Sequence, residues 1–448
     1  MAVIGAVTDD FTGTASAGVL VARSQAKTGL FFDADAVKNF KDSERLDAVY
    51  VSSNSRHMPP REAYRAVKEV TEELKQMGIR YYSKKIDTTL RGGIGYEIDA
   101  MLDCLGSDTT AVMVTAMPQS RRVCVGGFSI IDGVILTETP VAKDVKTPVR
   151  ECYVPELIRG QSKNQVDFIC LKDVLSGVDP LKKKLAASKE QKNRIIIVDA
   201  ITMNHLDIIA KACVQLGWNI LAVDPGAFTM KLAYHRGVIG EEKSALSDGA
   251  KPDGTKTALF IVGSANPATE KQIDVLCAHG SEYKKVSVSP LALLEGGSDA
   301  EKETGRAVCE VTGLLEQQNR TRAVIVETAL HGTVVNLEEE DRKRGYRPGT
   351  SSALINRGLA EITKRVLEYA GKERIAGLLL TGGDTMESVC RTIGVECIQA
   401  IDNIVAQVDV GRIMGAYEGL PIVVKGGFCG YEDIGIDIVE RLLLEASK

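Results

Sequence analysis

The residues that could do chemistry gather where short apolar runs give way to turns. Thr8-Asp9-Asp10-Phe11-Thr12-Gly13 ends the first such run. Ligands of parallel sheets bind beyond the carboxyl ends of the strands, so one of these aspartates either faces a ligand hydroxyl or caps the helix that follows. A second group, Ser83-Lys84-Lys85-Ile86-Asp87-Thr88-Thr89-Leu90-Arg91-Gly92-Gly93-Ile94-Gly95, lies between a strand-like stretch at 80–83 and an amphipathic helix running through Leu102. Arginine grips a carboxylate or phosphate through two parallel hydrogen bonds, and glycine lets the backbone approach an anion closely. The ligand this predicts is a small anionic molecule. Asn54-Ser55-Arg56-His57 and Met117-Pro118-Gln119-Ser120-Arg121-Arg122 follow two further strand-like runs and add cations to the same sheet edge.

Three more turns mark the second half. In Gly263-Ser264-Ala265-Asn266-Pro267, Asn266 suits a helix cap and Pro267 the first helical position. Free backbone N–H groups there either hold phosphate or simply begin a well-capped helix. Thr381-Gly382-Gly383-Asp384-Thr385 allows close approach of a nucleotide, with Asp384 and Thr385 suited to a metal shell or a cap. Lys425-Gly426-Gly427-Phe428-Cys429-Gly430 is the third. Neither a dinucleotide fingerprint nor a Walker P-loop is present. The histidines (His57, His205, His235, His279, His331) form no metal or triad pattern and read as surface or packing, and Asp224-Pro225-Gly226 reads as a turn. The ten cysteines form no C-x-x-C pair and read as reduced thiols. No metal ligand set emerges.

The elements that must position these groups are strands alternating with amphipathic segments, which predicts an α/β chain with mainly parallel sheets flanked by helices. Strands are expected at 3–7, 48–52, 111–116, 195–199 and 219–224, then at 257–263, 285–289, 323–327, 378–382 and 422–425. A polar, Gly- and Pro-bearing stretch at 246–257 reads as a linker between domains at 1–245 and 258–448. Asp132-Gly133 between two apolar runs predicts an antiparallel hairpin excursion in the first domain, leading into a loop at 143–148. The chain has 448 residues and a net charge of −5, with acidic and basic residues mixed throughout, which disfavours nucleic acid as a partner. No run approaches a membrane span and the first ten residues lack a signal pattern, so a cytoplasmic protein is expected, with room for a homo-oligomer.

Taken together, Thr8-Asp9-Asp10-Phe11-Thr12-Gly13, Ser55-Arg56, Lys85-Ile86-Asp87-Thr88-Thr89-Leu90-Arg91-Gly92, Pro118 with Arg122, and Thr381-Gly382-Gly383-Asp384-Thr385 occur in the order found in the four-carbon acid sugar kinase family, which the chain resembles over nearly its whole length. The resemblance implies an N-terminal sugar-acid-binding domain, a C-terminal nucleotide-binding domain, and phosphorylation of a terminal hydroxyl of a tetronate or 3-oxo-tetronate by ATP with Mg²⁺. It places Asp10, Arg56, Lys85, Asp87 and Arg91 in the acid site, with Asp9, Ser55, Lys84 and Arg122 on the same turns. It places Ser264, Asn266, Thr381, Gly382, Gly383, Asp384, Thr385, Gly426 and Gly427 in the nucleotide site. Asp10 or Asp87 then orients or deprotonates the attacking hydroxyl. The chain departs from the family pattern at Arg121, which stands where a glycine is usual, at Ala265-Asn266, and at Cys429. Arg121 suggests a more anionic or larger acid. The altered nucleotide turns keep open a non-catalytic sugar-acid-binding or regulatory protein.

Overall fold

The computed structural model describes residues 2–144, 146–242, 251–317, 321–330 and 334–448; Val145, His331 and residues 246–250 of the expected linker lie outside them. The chain divides into two compact units, Met1–Ser244 and Ala245–Lys448.

In the first unit the strands are β1 (Ile4–Thr8), β2 (Thr28–Phe31), β3 (Ala48–Ser52), β4 (Tyr81–Lys85), β5 (Thr110–Met113), β6 (Arg122–Val125), β7 (Phe128–Ile131), β8 (Val134–Ile135), β9 (Val166–Ile169), β10 (Ile195–Val198) and β11 (Ile220–Asp224). A parallel sheet runs in the order β2-β3-β1-β4-β11-β5-β10-β9. Helices cover such a sheet on both faces, so its strands read as unbroken apolar runs, and every residue of β10 is buried. The helix Pro60–Gln76 shows the complementary pattern: Ala63, Val67, Val70, Thr71 and Leu74 are buried at helical spacing, while most of its exposed positions are charged. Val112, Ile196, Val198, Leu206, Ile209 and Phe228 belong to one core cluster between sheet and helices.

β6, β7 and β8 form the antiparallel excursion. Asp132 and Gly133 turn β7 into β8 with φ of 51° and 83°, the left-handed pair that matches the twist of a tight hairpin. The chain then passes through short 3₁₀ turns to Asp144, whose carboxylate accepts hydrogen bonds from the N–H groups of Lys146 and Thr147 at 3.0 and 2.8 Å.

The second unit contains β12 (Thr257–Val262), β13 (Tyr283–Ser287), β14 (Ala323–Glu327), β15 (Ile375–Thr381), β16 (Val395–Val405), β17 (Val408–Gly415) and β18 (Pro421–Lys425). Their order is β13-β14-β12-β15-β18-β17-β16, parallel as far as β18 and antiparallel beyond it. Phe260, Ile325, Leu379, Val423, Ile438 and Leu442 share its core. Among the described residues no helix is long and apolar enough to cross a membrane.

Two strand ends differ from expectation in ways that matter for the site. β4 runs on through Lys84 and Lys85 instead of ending at Ser83, and β5 stops at Met113, three residues short of Ala116.

Candidate functional site

In the first unit four strands end level. Thr8 pairs with Ser52 and with Lys85, and Lys85 with Asp224. The turns that follow β1, β3 and β4 therefore open on the same edge.

Arg56 is the hub. It is buried, and its Nε and Nη2 donate to the two oxygens of Asp9 at 2.7 and 3.0 Å while Nη1 donates to Asp10 Oδ2 at 2.6 Å. Its backbone N–H is held by Asp9 O, and Gly92, at φ 93°, packs on its main chain, where a Cβ would lie 3.3 Å from Arg56 O. A paired carboxylate and guanidinium at this geometry offset much of the cost of leaving water. Burial alone would raise the Asp9 carboxyl, but Arg56, then Lys85 and Lys84, hold it below the ordinary carboxylate value. Asp10 does both things its position offers: Oδ1 accepts from Gly13 N at 2.8 Å, capping the helix Phe11–Ala22, while Oδ2 takes Arg56.

Asp87 anchors the loop after β4. It accepts from Thr89 Oγ1 at 2.5 Å and Arg91 Nε at 2.7 Å, with Arg56 Nη2 3.9 Å away. The chain returns to it because Leu90 adopts φ 56°, a costly conformation for a buried leucine that brings the Arg91 N–H and guanidinium back. Burial would raise this carboxyl too, but Arg56 and Arg91 hold it well below the usual range. Arg91 Nη1 reaches Asp144 Oδ2 at 3.3 Å, tying the loop after the hairpin excursion to the site.

Alternation along β4 separates the two lysines. Lys85 Nζ lies 3.9 Å from Asp9 Oδ1 and over Gly13, where a Cβ would come within 2.2 Å of it; among the described residues it has no hydrogen-bond acceptor. Lys84 is fully buried and pairs with Glu97 Oε2 at 2.8 Å. Ser55 Oγ donates to the other Glu97 oxygen at 2.6 Å. Ser55 and Lys84 are thus spent on Glu97, holding the turn after β3 and the helix Ile94–Leu105 in place. Arg122, half-buried, donates to Ser120 O and makes no ion pair with this cluster. Arg121 occupies the left-handed region at φ 54°, with its side chain 84% exposed and 3.9 Å from Asp132, at the mouth of the hairpin. Asp224 accepts from the N–H groups of Gly226, Phe228 and Thr229, closing the turn its sequence suggested and tying it to the helix that follows.

In the second unit Val262 pairs with Thr381, and Thr381 with Lys425, so three turns again end level. They touch. A Cβ on Gly263 would lie 2.0 Å from Thr385 Oγ1, which donates to Asn356 Oδ1 at 2.7 Å; a Cβ on Gly427 would lie 2.7 Å from Ser264 Oγ. Gly382 adopts φ 97°. Asn266 caps the helix Pro267–His279 by accepting from Ala268 N at 2.8 Å, and Thr269 Oγ1 donates to Gly427 O at 2.8 Å. Asp384 is exposed at the start of the helix Gly383–Thr392 with no hydrogen-bond partner among the described residues.

The sequence reading did not assign Lys425 to the site. It is buried, donates to Gly426 O at 3.1 Å, and has no carboxylate partner among the described residues; burial pushes its ammonium down to about 8. A lysine with unused donors, a helix N-terminus and three glycine turns together offer the kind of donors that suit phosphate groups. Asn356 and Asp144 were also missed, since each reaches its site only through a distant partner.

Residues 4–232 match a family model described as a sugar-binding N-terminal domain, and residues 259–434 one described as a nucleotide-binding C-terminal domain. A D-erythronate kinase of Heliobacterium modesticaldum is 35% identical over 446 residues, covering 99% of this chain and 97% of that protein. A D-threonate kinase of Salmonella typhimurium is 29% identical, covering 95% and 94%. A crystal structure from Haemophilus influenzae superposes with a TM-score of 0.71 at 20% identity over 98% of each chain, a likeness of fold.

Proposed function

We propose, from the premise that this chain belongs to the four-carbon acid sugar kinase family, that its acceptor is a tetronate of the D-erythronate type, phosphorylated by ATP on a terminal hydroxyl. The protein is a sugar-acid kinase. The observation that carries the finer reading is the interleaving of charge beside Lys85. Three cations (Arg56, Lys85, Arg91) alternate with three carboxylates (Asp9, Asp10, Asp87) on one edge. A bare anion needs only cations. A polyhydroxy acid needs donors for its carboxylate and acceptors for its hydroxyls, and this edge offers both.

Lys85, with unused donors, takes the acid carboxylate alongside the donors Arg56 has left. Asp87 is held as an anion by Arg56 and Arg91 and has little affinity for a proton, so it positions Arg91 and Thr89. Asp10, less enclosed at 27% side-chain exposure, meets the attacking hydroxyl. Phosphoryl transfer rests mostly on positioning and charge neutralisation, so an orienting carboxylate suffices.

ATP phosphates lie against the turns at Ser264, Gly382, Gly383, Gly426 and Gly427, with Lys425 beneath them. Asp384 has no hydrogen-bond partner among the described residues, which suits Mg²⁺, an ion usually held by one or two carboxylates together with phosphate oxygens. Mg²⁺ bound with ATP neutralises phosphate charge. Asn266, one of the positions where the chain departs from the family pattern, is a strong cap residue and caps its helix here, so that departure preserves the turn and gives no support to a protein without catalysis.

ATP consumption measured against D-erythronate, D-threonate, 3-oxo-tetronates and longer aldonates tests the acceptor. The expected result is the highest kcat/KM with D-erythronate; turnover of longer acids with none of the tetronates would refute it.

A further inference from the structure

The amino-terminal edge of the first unit's sheet carries a cavity of about 360 Å³ that the kinase reaction does not use. It opens at the start of β4 and β11, the opposite end of the strand that delivers Lys85. Flat or aliphatic side chains make up half of its lining: Tyr81, Tyr82, Leu105, Val214, Trp218 and Ile220. Among the described residues, the charged side chains in its lining are Arg80 and Arg236.

Both guanidinium groups lie over the Tyr81 ring, at 5.1 and 4.1 Å from its centroid. Neither has a carboxylate or any other side-chain hydrogen-bond partner among the described residues. Half-buried Arg236 is pulled below its ordinary value by burial, against the opposing pull of Tyr81 and Cys213, with a smaller repulsion from Arg80. The Tyr81 ring offsets part of the cost, but two like charges lining one cavity with no carboxylate partner among the described residues favour an anion in that cavity, which relieves both repulsion and desolvation. The flat walls add a second requirement, since an aromatic body buries area against Trp218 and Tyr82 that a bare ion does not.

We infer that this cavity is a second binding site, for a small aromatic or heteroaromatic anion carrying a phosphate or carboxylate held by Arg236 and Arg80.

Trp218 is the only tryptophan in the chain and lines this cavity, so its fluorescence reports on the site directly. The full-length protein, with ATP present to fill the nucleotide site, is titrated with phenyl phosphate, and with benzyl alcohol as the uncharged counterpart. The expected result is a saturable change with phenyl phosphate, at least about ten-fold weaker with benzyl alcohol, and weakened by about ten-fold or more in Arg236→Gln, as expected for loss of a charge-assisted hydrogen bond. Arg80→Gln, at an exposed side chain that makes no hydrogen bond or ion pair among the described residues, shows the same direction with an unchanged melting temperature. Kinase turnover without the probe stays unchanged in both. Absence of a saturable signal, equal affinity for the uncharged probe, or equal affinity in both variants would overturn the inference. So would a signal that follows protein concentration in place of probe, which would make the patch a contact between copies.

Discussion

Lys84 and Lys85 are neighbours with opposite tasks, and the side-chain alternation of a strand is the reason. One faces Glu97 in a closed pair; the other faces Asp9 with donors to spare. Lys85→Met removes a charge-assisted contact worth about 1.5–3 kcal/mol, so KM for the sugar acid rises by roughly ten- to a hundred-fold while the melting temperature holds. Lys84→Met strands a buried carboxylate, costing about 3–5 kcal/mol of stability in a denaturant titration, with the acid KM of the folded fraction nearly unchanged. Equal effects of the two variants on KM would sink this division. Lys425 gives a pH prediction. Burial brings its ammonium down to about 8, so the charge proposed to face the ATP phosphates is present below that pH and lost above it. KM for ATP therefore rises as pH passes upward through about 8, and a KM that stays level across that range would remove Lys425 from ATP binding. Residue types alone drew attention to Arg56, Asp87 and Arg91. They could not separate Lys84 from Lys85, because a strand that stops at Ser83 makes both into loop residues.

At the scale of elements, the helix Phe11–Ala22 is a platform for the acid site. Gly13 in its first turn leaves space for the Lys85 ammonium, and a Cβ there would lie 2.2 Å from Nζ and 2.4 Å from Asp10 Oδ1. The first of these is the end of a flexible chain and swings away cheaply. The second is the cap carboxylate that also holds Arg56, so the propensity gain of Gly13→Ala, up to about 1 kcal/mol, is offset by a disturbed cap worth about as much; the expected outcome is a melting temperature close to the parent's, with acid KM raised. A variant with unchanged KM would show that the ammonium position does not matter. The hairpins show what a sequence discloses about elements. β7–β8 is legible because Asp132-Gly133 announces a left-handed turn. β16–β17 is joined across Ala406-Gln407, where Gln407 adopts φ 65° with no glycine, asparagine or aspartate to signal it, and the longest hairpin in the second unit escapes a reading built on βα alternation. β2 escapes for another reason: Gly29 breaks its pattern, and the glycine is there because a Cβ would lie 2.6 Å from Leu46 Cδ1.

At the scale of the whole molecule, each unit has its own core and its own set of level strand ends, one suited to a sugar acid and one to phosphates. The two family models fall one on each unit, with the expected linker between them. A ligand that binds only one folded unit stabilises that unit by RT ln(1 + [L]/Kd), about 2.7 kcal/mol at a hundred-fold excess over Kd. For a domain of this size each kcal/mol moves the midpoint by about 2–4 °C, so the shift is of order 5–10 °C. Calorimetric melting of the full chain is therefore expected to show two transitions, one raised by ATP with Mg²⁺ and the other by D-erythronate. Because the two ligands stabilise different cores, adding both moves both transitions, each by its own amount. A single transition raised equally by either ligand would mean that the cores unfold as one cooperative body, and that the division of labour between the units does not extend to their stability.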